Sequence, residues 1–293
     1  MTLEPLSPKS DEVFLDHLTH IVGNLTSANI DLINYGFSTL LETDHAEKEK
    51  YSAIRIMFDE GSIKITNSSN YLFNNHNKAG ISAIALETRN LEKTQGRLTL
   101  NGFHPLPLTT ESLSLTNADK KKIEAENHMC RLRDTDMPEG YAEFIFHDPE
   151  KSIWKNPSPN HGNGISTLRA AILCVDNPDE AVARYCWFAN KGSPKKIGAL
   201  GWHLTLDRGS LMICYNDKLT DLLNIKGAPQ TDGIIGYSAI SKNMKFTIEF
   251  FKKQKIEIIT IRDDLIILQL PKTVGGFIFI GESESAFPWS SKF

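Results

Sequence analysis

Four times along this chain a short apolar strand leads into a polar turn, an amphipathic helix and then several more strands, and this repeat constrains the fold more than any other feature. A repeated unit of this kind cannot bury its own apolar face, so neighbouring units must cover one another. The first unit opens with Phe14 to Val22, and Gly23-Asn24 turns the chain. Asn24 suits a helix N-cap, because its side-chain oxygen can accept from an early backbone N–H. Leu25, Ala28, Leu32 and Tyr35 then fall on one helical face, and Gly36 ends the helix. Strands are expected at Ile54–Phe58 and Ser62–Thr66, joined by the hairpin signal Asp59-Glu60-Gly61.

The second unit opens with Ile81 to Leu86, with a helix from Leu91 to Leu100 stopped by Gly102. A polar insertion, Thr109 to Asn127, follows, in which Ala118–Glu126 is compatible with a short helix; strands fit Met129–Arg133 and Tyr141–His147. The stretch from Asp148 to Gly164 holds three prolines and two glycines, which suits a boundary. The third unit opens with Leu168 to Val175. Its helix start is clear: Asn177 as cap, Pro178 at the first helical position, and Asp179 and Glu180 at the positive helix end. The fourth opens with Ile234 to Ile240, carries Met244, Ile248 and Phe251 on its helix, and ends in three strands between Ile256 and Ile280.

Several strands after each helix, joined by turns of hairpin length, force antiparallel pairing rather than a doubly wound parallel sheet. The fold class is therefore α+β: four β-α-β-β-β modules on curved mixed sheets, the first paired with the second (12–150) and the third with the fourth (165–283). Hydrophobic residues at 40% and charged residues at 23% support a normal globular core. A net charge of −4 argues against nucleic acid as a partner, since phosphate binding needs a basic surface. Residues 1–11 lack the basic start and apolar core of a signal peptide, and no apolar run reaches the length of a membrane span. Cys130, Cys174, Cys186 and Cys214 form no C-x-x-C pair and read as buried thiols in a reducing compartment, so a cytoplasmic location is expected.

Leu15-Asp16-His17-Leu18-Thr19-His20-Ile21-Val22-Gly23-Asn24-Leu25 resembles the first strand and turn of vicinal oxygen chelate modules. Phe144-Ile145-Phe146-His147 followed by Trp154-Lys155-Asn156-Pro157, then His161-Gly162-Asn163-Gly164 and Val175-Asp176-Asn177-Pro178, resemble further stretches of the glyoxalase-like branch of that superfamily. The resemblance implies a cupped sheet that binds a small molecule, commonly through a divalent metal (Mn, Fe, Ni or Zn). The metal's charge would stabilise an anion developing on two adjacent substrate oxygens. It places ligands early in the first strand and in the middle of the last strand of each unit. His17 takes the first such position, but Lys64 stands where a carboxylate is usual, and a charged lysine is no ligand. In the second unit the positions are Ser82 and Glu143; His147, four residues on, shares a strand face with Glu143.

The resemblance thus implies His17 and His147 as metal ligands, Glu143 as ligand or base, and Lys64 and His161 toward substrate. Each also has a plain structural reading: sheet hydrogen bonding for His17 and His147, solvent for Glu143 and Lys64, a loop for His161. His20 falls on the opposite strand face from His17. In the third and fourth units the matching positions are Ala170 and Met212, then Ile235 and Phe279, which makes that half a structural or dimerising copy without a metal. The leading expectation is a glyoxalase-like lyase, isomerase or dioxygenase with a degenerate ligand set. The alternative is a metal-free protein that binds or sequesters a small molecule, and a scaffold role through the Thr109–Asn127 insertion is the third. No membrane or nucleic-acid partner is expected, and a homodimer is compatible with the repeat.

Overall fold

The computed structural model describes residues 12–44, 52–67, 79–117, 119–155, 160–215, 217–219 and 232–290. Residues 1–11, Asn156, Pro157 and Ala118, on which parts of the sequence reading fall, lie outside them. The first unit comprises β1 (Phe14–Val22), α1 (Leu25–Asn34), β2 (Leu40–Asp44), β3 (Ala53–Met57) and β4 (Ser62–Asn67). The second comprises β5 (Gly80–Glu87), α2 (Leu91–Leu100), β6 (Thr109–Thr116), β7 (Lys122–Arg131) and β8 (Tyr141–His147). The third is β9 (Ile165–Val175), α3 (Pro178–Ala189), β10 (Lys195–Ile197), β11 (Gly201–Thr205) and β12 (Ser210–Tyr215). The fourth is β13 (Gly233–Ser241), α4 (Met244–Lys253), β14 (Ile258–Arg262), β15 (Leu265–Gln269) and β16 (Phe277–Gly281).

An asparagine opens each of α1 to α4. Asn24, Asn90, Asn177 and Asn243 each accept from the backbone N–H three residues on, at Ser27, Lys93, Glu180 and Phe246. Each cap satisfies one N–H that the helix itself leaves unpaired. Gly36 and Gly102 close α1 and α2 with positive φ values of 82° and 83°, the left-handed conformation that costs glycine least.

The strands form two eight-stranded arrays. The first closes into a barrel in the order β1-β4-β3-β2-β6-β7-β8-β5; the second stays open as β10-β11-β12-β9-β13-β16-β15-β14. The fold is thus the expected α+β arrangement of four β-α-β-β-β modules on curved mixed sheets, joined in each half by an antiparallel pair of first strands, β1 with β5 and β9 with β13. Closure depends on β6 and β7. The Thr109–Asn127 stretch is not an insertion with a short helix. It is a long hairpin, and β6 pairs with β2 at the barrel seam. Lys122–Arg131 is extended because alternate residues Ala125, Asn127 and Met129 are buried while Glu124 is exposed, a period of two and not of a helix.

The halves are bound by a reciprocal exchange of turns. The β11–β12 turn docks on the start of β1 through Leu15 N–H to Arg208 C=O (2.8 Å) and Asp207 N–H to Val13 C=O (3.0 Å). The β3–β4 turn docks on β9 in the same way, through Leu168 N–H to Glu60 C=O (3.0 Å) and Asp59 N–H to Ser166 C=O (2.7 Å). One large apolar cluster joins the helices, the outer face of the barrel and the outer face of the open sheet, with Leu18, Phe144, Phe188, Leu204 and Phe251 fully buried in it. Arg97 on α2 donates to the carbonyls of Trp187 and Phe188 near the end of α3, a charge-assisted bond at the negative helix terminus.

Candidate active site

A β-bulge sets the site. Leu15 pairs with Leu86 and His17 with Ala85, so Asp16 is skipped. A bulge turns a side chain that strict alternation would send the other way. Asp16 and His17, adjacent in sequence, therefore meet directly: Asp16 Oδ2 lies 2.6 Å from His17 Nδ1. The other oxygen, Oδ1, lies 2.7 Å from Nε2 of His147, which arrives on the last residue of β8. Nδ1 of His147 is 3.0 Å from Oδ1 of Asn127 on β7. Nε2 of His17 faces Glu143 Oε1 at 3.6 Å, beyond hydrogen-bond range, and Glu143 Oε2 accepts from Arg131 Nε at 3.0 Å.

A second cluster lies on the neighbouring strands. Glu42 on β2 accepts from Arg55 Nε on β3 at 3.0 Å and pairs with Lys64 Nζ on β4 at 3.0 Å; Lys64 also lies 3.7 Å from Glu111 on β6. Arg55 is 1% exposed, which an isolated guanidinium could not sustain. Lys64 and Glu143, for which the plain reading was a solvent-facing position, are buried, and each has a charged partner.

Burial and partners compete at Asp16, Glu42, Glu143, His147 and Glu87, and the partners win in all but one. Burial pushes the Asp16 carboxyl up, but His147 and His17 together hold it well below the usual carboxylate range. Burial likewise raises Glu42, and Lys64 and Arg55 bring it down to about 2. Glu143 is lowered by Arg131 and His17 against the same desolvation. His147 is held above its ordinary value because Asp16 outweighs burial. Its two nitrogens both face acceptors, as an imidazolium's must. The exception is Glu87, at the end of β5, where burial, with the Asp16 charge, prevails over His147 and Arg208 and the carboxyl is pushed up to about 7; Arg208 Nη2 stands at 3.4 Å.

His17, Glu143 and His147 thus converge through Asp16, and Lys64 shares the barrel with them. His161 does not join them. It accepts from Ser38 N–H through Nδ1 (3.1 Å), bonds Met57 C=O through Nε2 (3.0 Å) and packs against Phe37 and Phe58, so it ties the chain before β9 to the first unit. Burial lowers its pKa to about 4, which keeps it neutral. His20 also lies apart, on Val274 C=O at 3.2 Å. The inward first-strand position of the second unit is Ala83, since Ser82 is the bulge residue that matches Asp16; in the fourth unit Ile235 is the bulge and Gly236 the inward position.

The donors do not suit a divalent metal. His147 spends both nitrogens on Asn127 and Asp16, His17 Nδ1 is spent on Asp16, and Glu143 Oε2 on Arg131. His17 Nε2 and Glu143 Oε1 remain, fewer than the three protein donors a zinc-type site uses. Among the described residues no group of three or more His, Cys, Asp or Glu side chains is placed to hold a metal ion. The sequence reading missed Asp16, Glu42, Arg55, Asn127, Arg131 and Glu87. Arg55 carried a signal: a charge at the centre of Ala53-Ile54-Arg55-Ile56-Met57 can avoid burial only if the strand has no buried face on that side.

Comparison with known proteins agrees with this architecture. The family described as the glyoxalase-like domain matches residues 15–188, more than half of the chain. No curated protein matches the sequence. Among solved structures, a hypothetical protein from Staphylococcus aureus is similar at 10% identity and TM-score 0.63, over 92% of this chain and 98% of that one. A variant of 4-hydroxymandelate synthase from Streptomyces coelicolor is similar at 10% identity and TM-score 0.58, over 92% of both chains. A fusion of a xylose isomerase-like TIM barrel with 4-hydroxyphenylpyruvate dioxygenase is similar at 12% identity and TM-score 0.57, over 94% of this chain but 50% of that one. Identities this low show a shared fold. Among the described residues no helix is long and apolar enough to cross a membrane.

Proposed function

Because this chain belongs to the glyoxalase-like domain family, we propose that its barrel is a small-molecule active site working by proton transfer at His17. The observation that carries the reading is the Asp16–His17 pair. Asp16 Oδ2 accepts the Nδ1 proton at 2.6 Å, which fixes the tautomer and leaves the Nε2 lone pair as the base. Glu143 at 3.6 Å from Nε2 stabilises the imidazolium that forms when a proton arrives. The substrate class is a small carbonyl compound with an acidic C–H beside the carbonyl. Nε2 takes that proton, the electron pair moves into the enolate, and the fixed cations of the barrel, Lys64 and Arg131, offset the oxygen's charge; the proton then returns to the same carbon. Asp16 is a positioning residue in this scheme. Fixed side-chain cations take the electrostatic part that a metal plays elsewhere in the superfamily.

The test is deuterium exchange. A panel of small α-hydroxy and α-keto carbonyl compounds is incubated in D2O with chelator present, and C–H loss is followed by NMR. Wild type is expected to exchange at least one compound, and His17→Ala to lose roughly 10²–10⁴-fold, the usual worth of a general base. Saturable binding of the panel with no exchange would move the reading to the metal-free binding or sequestering protein. Exchange that needs added Mn, Fe, Ni or Zn would defeat the fixed-charge scheme.

A further inference from the structure

The proton-transfer scheme leaves one large feature of the molecule unused. An open cleft of about 700 Å³ lies on the cupped face of the second sheet, within the size range of small-molecule sites. Phe287 and Trp289, buried against the sheet at 1% and 4% exposure, stack beneath the cleft at 5.2 Å. Its wall carries Arg169, Lys195, His203 and Arg208.

The placement of Arg169 repeats the barrel with the charge reversed. Ser238 pairs with Ala170 and Ala239 with Leu168, so Arg169 is the skipped bulge residue of β9, as Asp16 is of β1. The bulge that aims a carboxylate inward in the first half therefore aims a guanidinium into this cleft. Among the described residues, Arg169 is paired with carboxylates that can swing away: Glu60 at 2.5 Å and Glu284 at 3.3 Å, whose side chains are 39% and 72% exposed. The third carboxylate of the cleft, Asp207, is taken by Lys191 and by the Val13 N–H. Lys195 has no carboxylate partner among the described residues and is exposed. His203 Nε2 and Arg208 Nε, both lining the cleft, are buried without a hydrogen-bond partner. The site thus has one cation uncompensated and one loosely compensated.

We propose that this cleft binds a small organic anion, its charge held between Arg169 and Lys195. It is separate from the barrel: no residue of the Asp16–His17–Glu143–His147 group lines it.

Calorimetric titration of the full chain with 2-naphthoate, beside the neutral 2-naphthamide, tests this. Saturable binding of the carboxylate, at least about tenfold weaker binding of the amide, and about tenfold weaker carboxylate binding by Lys195→Gln are expected, each a loss of one charge-assisted contact. Lys195 is exposed, so this variant folds. His17→Ala separates the two sites and is expected to bind the carboxylate as wild type does. Equal binding of amide and carboxylate, an unchanged Lys195→Gln, loss of binding in His17→Ala, or no saturable heat would each overturn the proposal.

Discussion

The barrel interior and the cup of the open sheet are built from matching positions, yet one is filled with charge and the other with hydrocarbon. Strand register fixes the matches. His17 opposite Ser62 corresponds to Ala170 opposite Ser210, so Lys64 and its neighbour Arg55 correspond to Met212 and His203. In the same way Glu42 corresponds to Ile197, and the Arg131–Glu143 pair to Ile267 and Phe279. Met212, Ile267 and Phe279 are fully buried in an apolar cluster that the chain's own Ala286, Phe287 and Trp289 complete. The difference is not one of backbone. A sheet whose cup is apolar needs a plug, and the tail supplies it. A sheet whose cup is ionic needs every charge paired, and the β2–β6 seam supplies that by bringing Glu111 against Lys64. Structure alone does not call for the ionic solution, since replacing buried ion pairs by apolar residues is often neutral or stabilising. That the barrel keeps its charges is therefore an argument for function there.

The comparison breaks most readily at Arg55 and its counterpart His203. Arg55→Met leaves Glu42 with Lys64 alone in a buried site, and about 3–5 kcal/mol of stability should be lost at neutral pH. His203→Met removes a ring whose Nε2 is unpartnered, and should change stability by less than about 1 kcal/mol. Urea unfolding of the two variants measures both. The sign with pH follows from Glu42. Its folded pKa, about 2, lies below its ordinary value, so its ion pairs stabilise the fold above about 4.5 and cease to as pH falls through 2. The gap between wild type and Arg55→Met should shrink over that window. Equal costs for the two variants at pH 7 would mean that the barrel's charges are no more structural than the cup's.

Glu87 sharpens the comparison with a smaller effect of opposite pH sense. Its carboxyl is pushed up to about 7 by burial, so between about 4.5 and 7 the unfolded chain ionises before the folded one does. That contribution to stability is present below the ordinary carboxylate pKa and is lost as pH rises through 7. Glu87→Gln should therefore stabilise the protein at pH 8 relative to its effect at pH 5, by about 2 kcal/mol after allowing for the partner that Arg208 loses. Thermal unfolding at the two pH values reads the difference, and an effect independent of pH would place Glu87 among ordinary surface carboxylates.

The same contrast explains which parts of the fold were legible. The four modules and the strand at Tyr141–His147 follow from apolar periodicity, because their buried faces look onto the common helix layer, and the helix starts at Asn24 and Asn177 follow from their caps. Strand β2 went unread: in Leu40-Leu41-Glu42-Thr43-Asp44 the inward position is Glu42. The β6–β7 hairpin read as a polar insertion for a related reason, since its inward faces include Glu111 and Asn127. An ionic interior erases the alternation of apolar and polar residues from which strands are recognised. His17, Glu143 and His147 were visible through a resemblance, whereas Asp16 was not, because a one-residue bulge defeats strict strand alternation.

The smallest expected effect tests how far the divergence of the two halves extends. If only the cupped faces have diverged, the helix layer should still behave as one repeated part, and each capping asparagine should be worth the same to first order. Replacing any one by Ala should cost about 1 kcal/mol, read by urea unfolding. A graded departure is expected within that. Asn177 caps a helix that also has Pro178, Asp179 and Glu180 in its first turn, and its bond to the Glu180 N–H is the longest of the four at 3.3 Å. Its loss should be the cheapest, because the acidic side chains already offset the positive helix end. Asn24 and Asn243 open α1 and α4, which have no acidic residue in their first turns, and each accepts at 2.9 Å; their loss should cost the most. Costs that instead divide by half, with Asn24 and Asn90 on one side and Asn177 and Asn243 on the other, would show that the barrel and the open sheet differ in the stability of their helix layers as well as in what their cups contain.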